Sequence, residues 1–303
     1  MLKQEIDAFI AVVQYGSLSA AAEKLYITQP ALSRRIQNLE SELQYKLIYR
    51  EKGVRGISLT ERGKAFLSVA QKWNAVYQEA LAIKNLDQKP LLRVASIGSV
   101  CTYILPDIFK CFTTKDALYN LDYHSCHSWE GYSLVESGLA DVAFIDYIEQ
   151  PNTYAQGNVL SIPVYSVPFV FVGGAAWKDA DILHPSELDP KKEILLPWNT
   201  AFEIWHKYWF NASIAPKVKL DHVTVIKDVL QDDLFAIVPK MVARHLRTIN
   251  PDITVCELRE GPPDEIIHCL TSLSSQQKPQ VRFFMEMLKK TIPSRNDIYC
   301  LMD

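Results

Sequence analysis

Gln29, Ser33, Arg34 and Gln37 are polar or basic side chains separated by four, one and three positions, so a helix over this segment presents them on one side. A glutamine at such a place can reach an adenine edge or a phosphate, and an arginine can fork onto a guanine or a phosphate. Thr28 caps the helix and is short enough to bond a nucleic-acid backbone, while Pro30 is tolerated in the first turn. Helix N-terminal amides add an attraction for phosphate. Further on, residues 46–60 read KLIYREKGVRGISLT, a two-stranded hairpin turned on Gly53 and Gly56. Its Arg50, Lys52 and Arg55 would lie over the adjoining backbone or minor groove. The chemistry these residues could perform together is the reading of double-stranded DNA by an inserted helix and a wing.

Such a helix must be held by others. Ile6, Phe9, Ile10 and Val13 recur at i, i+3, i+4 and i+7 and predict a first helix that ends near Gly16. Ser17 caps a second, whose Ala21 and Ala22 are small enough to let another helix cross closely. Only Tyr26 and Ile27 then separate it from the capped helix that buries Leu32, Ile36, Leu39 and Leu43. Thr60 starts a long helix to about Lys84, with a near-heptad stripe of Leu67, Ala70, Trp73 or Asn74, Tyr77 and Leu81 that needs a partner to cover it. Asp87-Gln88-Lys89-Pro90 breaks it. Beyond, apolar strands at 91–97, 142–145, 167–172, 194–196, 235–238 and 266–270 alternate with helices, which predicts an α/β fold with largely parallel sheets.

The net charge of the 303-residue chain is -3. Residues 24–62 nevertheless carry eight Lys and Arg against four Glu, so a basic segment sits on an otherwise acidic protein. That distribution fits phosphate contact by one domain and excludes a protein coated in basic residues. The N-terminus shows no basic segment leading into an apolar core, no apolar run reaches membrane-spanning length, and Cys101, Cys111, Cys126, Cys256, Cys269 and Cys300 are expected as reduced thiols of a cytoplasmic protein with no membrane partner. No GxSxG, HExxH, P-loop or GxGxxG is present, so no enzyme and no cofactor is expected. His124, Cys126 and His127 lack a second ligand cluster, so no metal is expected either.

Residues 16–43, GSLSAAAEKLYITQPALSRRIQNLESEL, resemble the N-terminal signature of LysR-type regulators, with Gly16-Ser17, Ala21-Ala22, Leu25, Thr28 to Ser33, Ile36, Leu39-Glu40 and Leu43 at the family's positions. The resemblance continues through Leu47, Arg50, Leu59-Thr60 and Gly63 and departs at Gln44, where the family usually has glycine, and at Ile48-Tyr49. It implies an overall α/β protein: a mainly α winged helix-turn-helix at 1–60, a linker and dimerisation helix at 61–88, and an effector-binding domain at 89–303. That last domain would be two periplasmic-binding-protein-like lobes, the first about 91–161 and 267–303, the second about 162–266. It implies a transcriptional regulator that binds promoter or operator DNA, holds a small-molecule effector between the lobes and self-associates as a dimer or tetramer, and it leaves RNA polymerase open as a further partner.

Gly98-Ser99 matches the family's first pocket loop, which makes Ser99 and Thr102 the leading effector contacts. His127, Ser128 and Trp129 follow the second strand and are expected at the same cleft, with Trp198 and Thr200 closing it from the second lobe. Where the family has a glycine-rich stretch this chain has Asp232-Asp233-Leu234-Phe235, which is expected to put Phe235 and negative charge into the cleft and to disfavour an anion there. Two alternatives stand beside this reading: a thiol-responsive regulator using Cys101 and Cys126, and a solute-binding module without DNA binding, against which the intact Gln29, Ser33 and Arg34 argue.

Overall fold

The computed structural model describes residues 2–49, 57–82, 89–146, 158–178, 180–211 and 213–302. The chain divides into two compact units, Met1–Gln88 with Ser133–Ala140, and Lys89–Tyr132 with Asp141–Asp303.

In the first unit, α1 (Lys3–Tyr15) turns Ile6, Phe9 and Val12 wholly into the core and ends on Gly16 at a left-handed φ of 68°. Ile10 and Val13 are half-buried at its edge. The Ser17 hydroxyl accepts the Ala20 amide at 3.1 Å and starts α2 (Leu18–Lys24), which buries Ala21 and Ala22. Thr28 accepts the Ala31 amide at 3.4 Å and starts α3 (Gln29–Leu43), whose Leu32, Ile36 and Leu39 complete the core. Gln44 follows at φ 62°, so a glutamine bears the backbone shape that glycine adopts at no steric cost.

One carboxylate ties α3 to what comes next. Glu40 is 3% exposed, and its Oε1 accepts the backbone amides of Leu47 at 2.9 Å and Ile48 at 3.3 Å, while Lys46 Nζ donates to Oε2 at 2.8 Å. Burial alone would raise its pKa, but these hydrogen bonds outweigh burial and hold the carboxyl below its ordinary value. The anchored amides begin β1 (Ile48–Tyr49), which pairs antiparallel with β2 (Ser58–Leu59) as Ile48 opposite Leu59. These strands are the base of the expected wing. Its tip, with Arg50, Lys52 and Arg55, lies outside the described residues.

Thr60 accepts the Gly63 amide at 2.9 Å, donates to Lys46 O at 2.7 Å, and opens α4 (Glu61–Ala82). A Cβ at Gly63 would stand 2.0 Å from Leu47 O, so only glycine lets the helix start so close to the wing strand. The expected stripe on α4 is partly consumed by the helix's own unit: Ala70 is fully buried, and Leu67 and Trp73 pack against the same core. Val69, Val76 and Leu81 stay 50%, 65% and 49% exposed, so the uncovered apolar line differs from the one the heptad pattern predicts.

The second unit opens with β3 (Leu91–Ser96), α5 (Gly98–Tyr103), α6 (Leu105–Thr113), β4 (Asn120–Ser125), the start of α7 (Ser128–Glu136), whose residues from Ser133 on group with the first unit, and β5 (Val142–Ile145). β6 (Val159–Val167) then passes through Pro168 into β7 (Phe169–Gly173), followed by β8 (Ile182–Leu183), β9 (Ile194–Leu195), α8 (Thr200–Trp209), β10 (Val218–Lys219), α9 (Ile226–Val229), β11 (Phe235–Pro239), α10 (Lys240–Ile249) and β12 (Thr254–Leu258). β13 (Glu265–Ser272), α11 (Pro279–Thr291) and β14 (Tyr299–Cys300) complete it.

Two main sheets result, ordered β14-β6-β13-β5-β3-β4 and β11-β7-β12-β8, and a bridge between Glu193 and Phe235 joins the β9-β10 pair to the second. They are mixed rather than largely parallel: β3 is parallel to β4 and β5, but β13 is antiparallel to β5 and β6, and β7 is antiparallel to β11 and β12. The reason is connectivity. β6 enters the second sheet and β13 returns from it, so the two run in opposite senses side by side. Their ladder runs from Glu265 opposite Val167 to Ser272 opposite Val159, which keeps all of both strands in the six-stranded sheet and places the lobe crossings at Pro168 and at residues 259–264, not at 161 and 266.

Glu40→Ala is expected to cost the first unit about 2 kcal/mol, since a buried charged acceptor and two amide bonds go together; an unchanged urea midpoint would show that the link is dispensable. Because the Glu40 carboxyl is held down, its contribution is full above the ordinary carboxylate pKa and fades as pH falls through the lower folded value. Gln44→Gly is expected to raise stability by about 1 kcal/mol by relieving the left-handed residue, read as a higher midpoint in the same titration.

Candidate nucleic-acid interface and ligand cleft

The two caps, Ser17 and Thr28, and the three-residue turn between their helices fix how α3 is presented. With Leu32, Ile36 and Leu39 turned inward, Gln29, Pro30, Arg34 and Gln37 are exposed along the opposite side, and Ser33 is half-buried at its margin. Thr28 is exposed at the head of the helix, and Gln29 Oε1 accepts the Ser19 hydroxyl at 3.1 Å, which steadies it against α2. The structure thus brings all six predicted α3 residues to one end and side of the helix. Tyr26 is a residue that the sequence pattern did not single out: it is 96% exposed at φ 54°, two residues before Thr28. The brevity of the turn was its signal, because closing two helices over three residues demands a left-handed backbone.

In the second unit a cavity of about 870 Å³ opens where β3, β4 and β5 end. Parallel strand ends are where open α/β sheets leave room for ligands. Ser99, Thr102, His127, Ser128, Trp129 and Trp198 all line it, as expected. Ser99 is 6% exposed, and the Thr102 hydroxyl bonds back to Gly98 O at 2.8 Å. Ser128 donates to the Asp146 carboxylate and accepts the Asp146 amide at 3.2 Å, which locks the end of β5 to the start of α7. Trp198 is fixed by its Nε1 donating to Ile237 O at 2.9 Å.

Two expected contacts are elsewhere. Thr200 begins α8 behind the Asn199 cap and does not line the cavity. Phe235 is fully buried, stacked on Phe171 at 5.5 Å within an aromatic core that also holds Phe169, Phe202 and Trp205. Its bulk fills the second lobe, not the cleft. Nor do Asp232 and Asp233 line the cavity; Asp233 faces Lys192 at 3.5 Å.

The acidic side chains that line the cleft are instead ones that sequence reasoning missed, Asp146 and Glu265, with Glu130, Glu203 and Asp221. Asp146 is the residue after β5, a place that strand-end counting would have flagged. Glu265 had no local signal, because it reaches the cleft only through the register of β13 on β6. It is 1% exposed, its Oε2 has no hydrogen-bond partner among the described residues, and burial, with the nearby Asp146 charge, pushes its carboxyl up to about 8. Burial raises Asp146 as well, against the lowering bond from Ser128. Burial, helped by Glu130, holds Cys126 up at about 12, so it lacks the thiolate that a redox switch requires. All six cysteines are free, and among the described residues no group of three or more His, Cys, Asp and Glu is placed to hold a metal. No helix of the described residues is long and apolar enough to cross a membrane.

Residues 4–64 match the model for the bacterial regulatory helix-turn-helix protein, lysR family, and residues 87–293 match the LysR substrate binding domain. The uncharacterized HTH-type transcriptional regulator YoaU of Bacillus subtilis is 31% identical over 145 residues, 47% of this chain and 50% of that protein. The chain spans about half the length of the curated relatives it matches. Among solved structures, CbnR, described as a LysR family transcriptional regulator, aligns over 96% of this chain and 99% of its own with a TM-score of 0.63 at 21% identity. Full-length CbnR in complex with its target DNA aligns over 96% and 100% with a TM-score of 0.61, also at 21% identity, a level at which the likeness shows the fold. With both domain models matched across most of its length, and with the helix-turn-helix and the two-sheet unit in place beneath them, the chain belongs to the LysR family.

Proposed function

We propose that this chain is a sequence-specific transcriptional regulator, that α3 enters the major groove of promoter or operator DNA, and that the cleft of the second unit receives a small-molecule effector that modulates binding. The exposed polar side of a doubly capped α3 is the observation that carries this reading. Arg34 and Gln37 are placed for base edges, Thr28, Gln29 and Ser33 for bases or adjoining phosphates, and the projecting Tyr26 hydroxyl for the backbone ahead of the helix. Arg50, Lys52 and Arg55 complete the interface from the wing. CbnR, of the same fold, was solved on its target DNA.

The chain on this proposal comprises a DNA-binding part to residue 60, a linker helix to 88 and an effector-binding part beyond. Val69, Val76 and Leu81 on α4 are the apolar surface that a second copy would cover, giving a dimer or, with further contacts, a tetramer on a two-part DNA site. The protein acts in the cytoplasm, as a regulator and not an enzyme, with RNA polymerase as a further partner. The raised Cys126 thiol weighs against the thiol-responsive reading.

A salt-dependent gel-shift titration against the gene's own upstream DNA, with an unrelated duplex as competitor, tests the proposal. Competitor-resistant binding that weakens steeply with salt is expected; binding no tighter than to the competitor would overturn recognition of that site. At fixed salt, Arg34→Ala should weaken specific binding by about 1–3 kcal/mol while leaving competitor binding far less affected. Equal losses on both duplexes would reassign Arg34 to general phosphate contact.

A further inference from the structure

We propose that the cleft selects an organic cation, a protonated amine, amidine or guanidine, which the Asp146 and Glu265 carboxylates hold where the chain crosses between the two sheets. The inference rests on the effector-cleft reading above and specifies its ligand. Among the described residues that line the cavity, five are acidic (Glu130, Asp146, Glu203, Asp221 and Glu265) and none is lysine or arginine. The segment 147–157, which follows Asp146 in sequence and lies outside the described residues, contains neither.

Glu265 is the decisive group. A carboxyl that is 1% exposed, leaves Oε2 without a partner among the described residues and borders a second carboxylate is a costly arrangement for a protein to maintain with nothing bound. Without a ligand it relieves the cost by staying protonated, which is why its carboxyl is pushed up to about 8. An arriving N–H cation satisfies the open oxygen and lets the acid ionise, so one event removes both penalties. A carboxylate ligand would do the reverse. A protonated Glu265 offers it one hydrogen bond, while its charge meets Asp146 and no lysine or arginine of the described lining. The amide of His127, where an anion would otherwise be received at the head of α7, is already taken by Glu130 Oε2 at 2.8 Å.

Two features make the cation organic. The cavity, at about 870 Å³, is of the size that holds drug-sized molecules, and no metal-ligating cluster exists among the described residues. Trp129 and Trp198 on its walls offer ring surface to the ligand's carbon skeleton or to the cation itself.

Benzamidine and benzoate share a shape and carry opposite charge, and agmatine and glutarate extend the comparison to flexible chains. Titrated into the full chain by calorimetry and thermal unfolding at millimolar concentrations, the two cations are expected to bind saturably and raise Tm, and the two anions are not. Glu265→Gln and Asp146→Asn should each weaken cation binding by about tenfold or more. Glu265→Gln should itself melt no lower than the parent, because it removes an unpaired buried acid; should one variant fold poorly, the other carries the test. Saturable binding of the anions alone, abolished by a cleft-filling Ser99→Trp, would overturn the cation class and leave the effector cleft standing. Cation binding indifferent to both carboxylate variants would overturn the proposal as surface adsorption. No binding by either charge would overturn the proposal and the cleft reading together.

Discussion

The antiparallel ladder of β6 on β13 is the constraint on which the second unit depends. Both crossings between its sheets leave from the Val167–Glu265 end of that ladder, one through Pro168 and one through residues 259–264. Hinged from a single end, the sheets must face each other across a gap, and the gap opens where β3, β4 and β5 terminate. The same register carries Glu265 to the rim of the gap, where its Oε2 has no hydrogen-bond partner among the described residues. A slip of one residue would turn the acid to the other face of the sheet and close the question of its charge.

The first unit obeys a more local logic. Each of its helices begins at a hydroxyl with a free amide three residues ahead, or ends on a left-handed residue, and its core follows from helical periodicity. That is why Ser17, Thr28 and Thr60 could be read as caps, and Leu32, Ile36 and Leu39 as core, from the order of the residues alone. Gln44 was legible through the family resemblance, as a side chain where the family usually has glycine. Tyr26 was overlooked because exposure in a turn leaves no periodic trace.

The cleft was legible mainly on the side built by consecutive elements, with Trp198 the one expected residue that reaches it from the second lobe. Ser99, Thr102, His127 and Ser128 follow strand ends in sequence, so their approach is a local matter. Phe235 looked like a cleft residue because glycine-rich stretches end nearby in similar proteins, yet burial of its ring against Phe171 fills the second lobe's interior. The mixed sheets were hidden for a related reason: an apolar run such as Phe169–Gly173, buried on both faces, has the same composition whichever way its neighbours run. The charge was foreseen in sign and misplaced in position, since Asp232 and Asp233 are adjacent in sequence to β11 but not to the cavity.

Gly63 and Thr60 give the start of α4 an unusual rigidity. The helix backbone sits against Leu47 O with no side chain between, and the Thr60 hydroxyl bonds the carbonyl of Lys46. A hinge at this joint is therefore denied to the chain. Any torque applied along α4 must turn the wing strand with it, and through Glu40 the strand is fastened to the end of α3. Helix, wing strand and the exposed side of α3 are built as one lever arm, so a rotation of α4 is geared to the orientation of that exposed side.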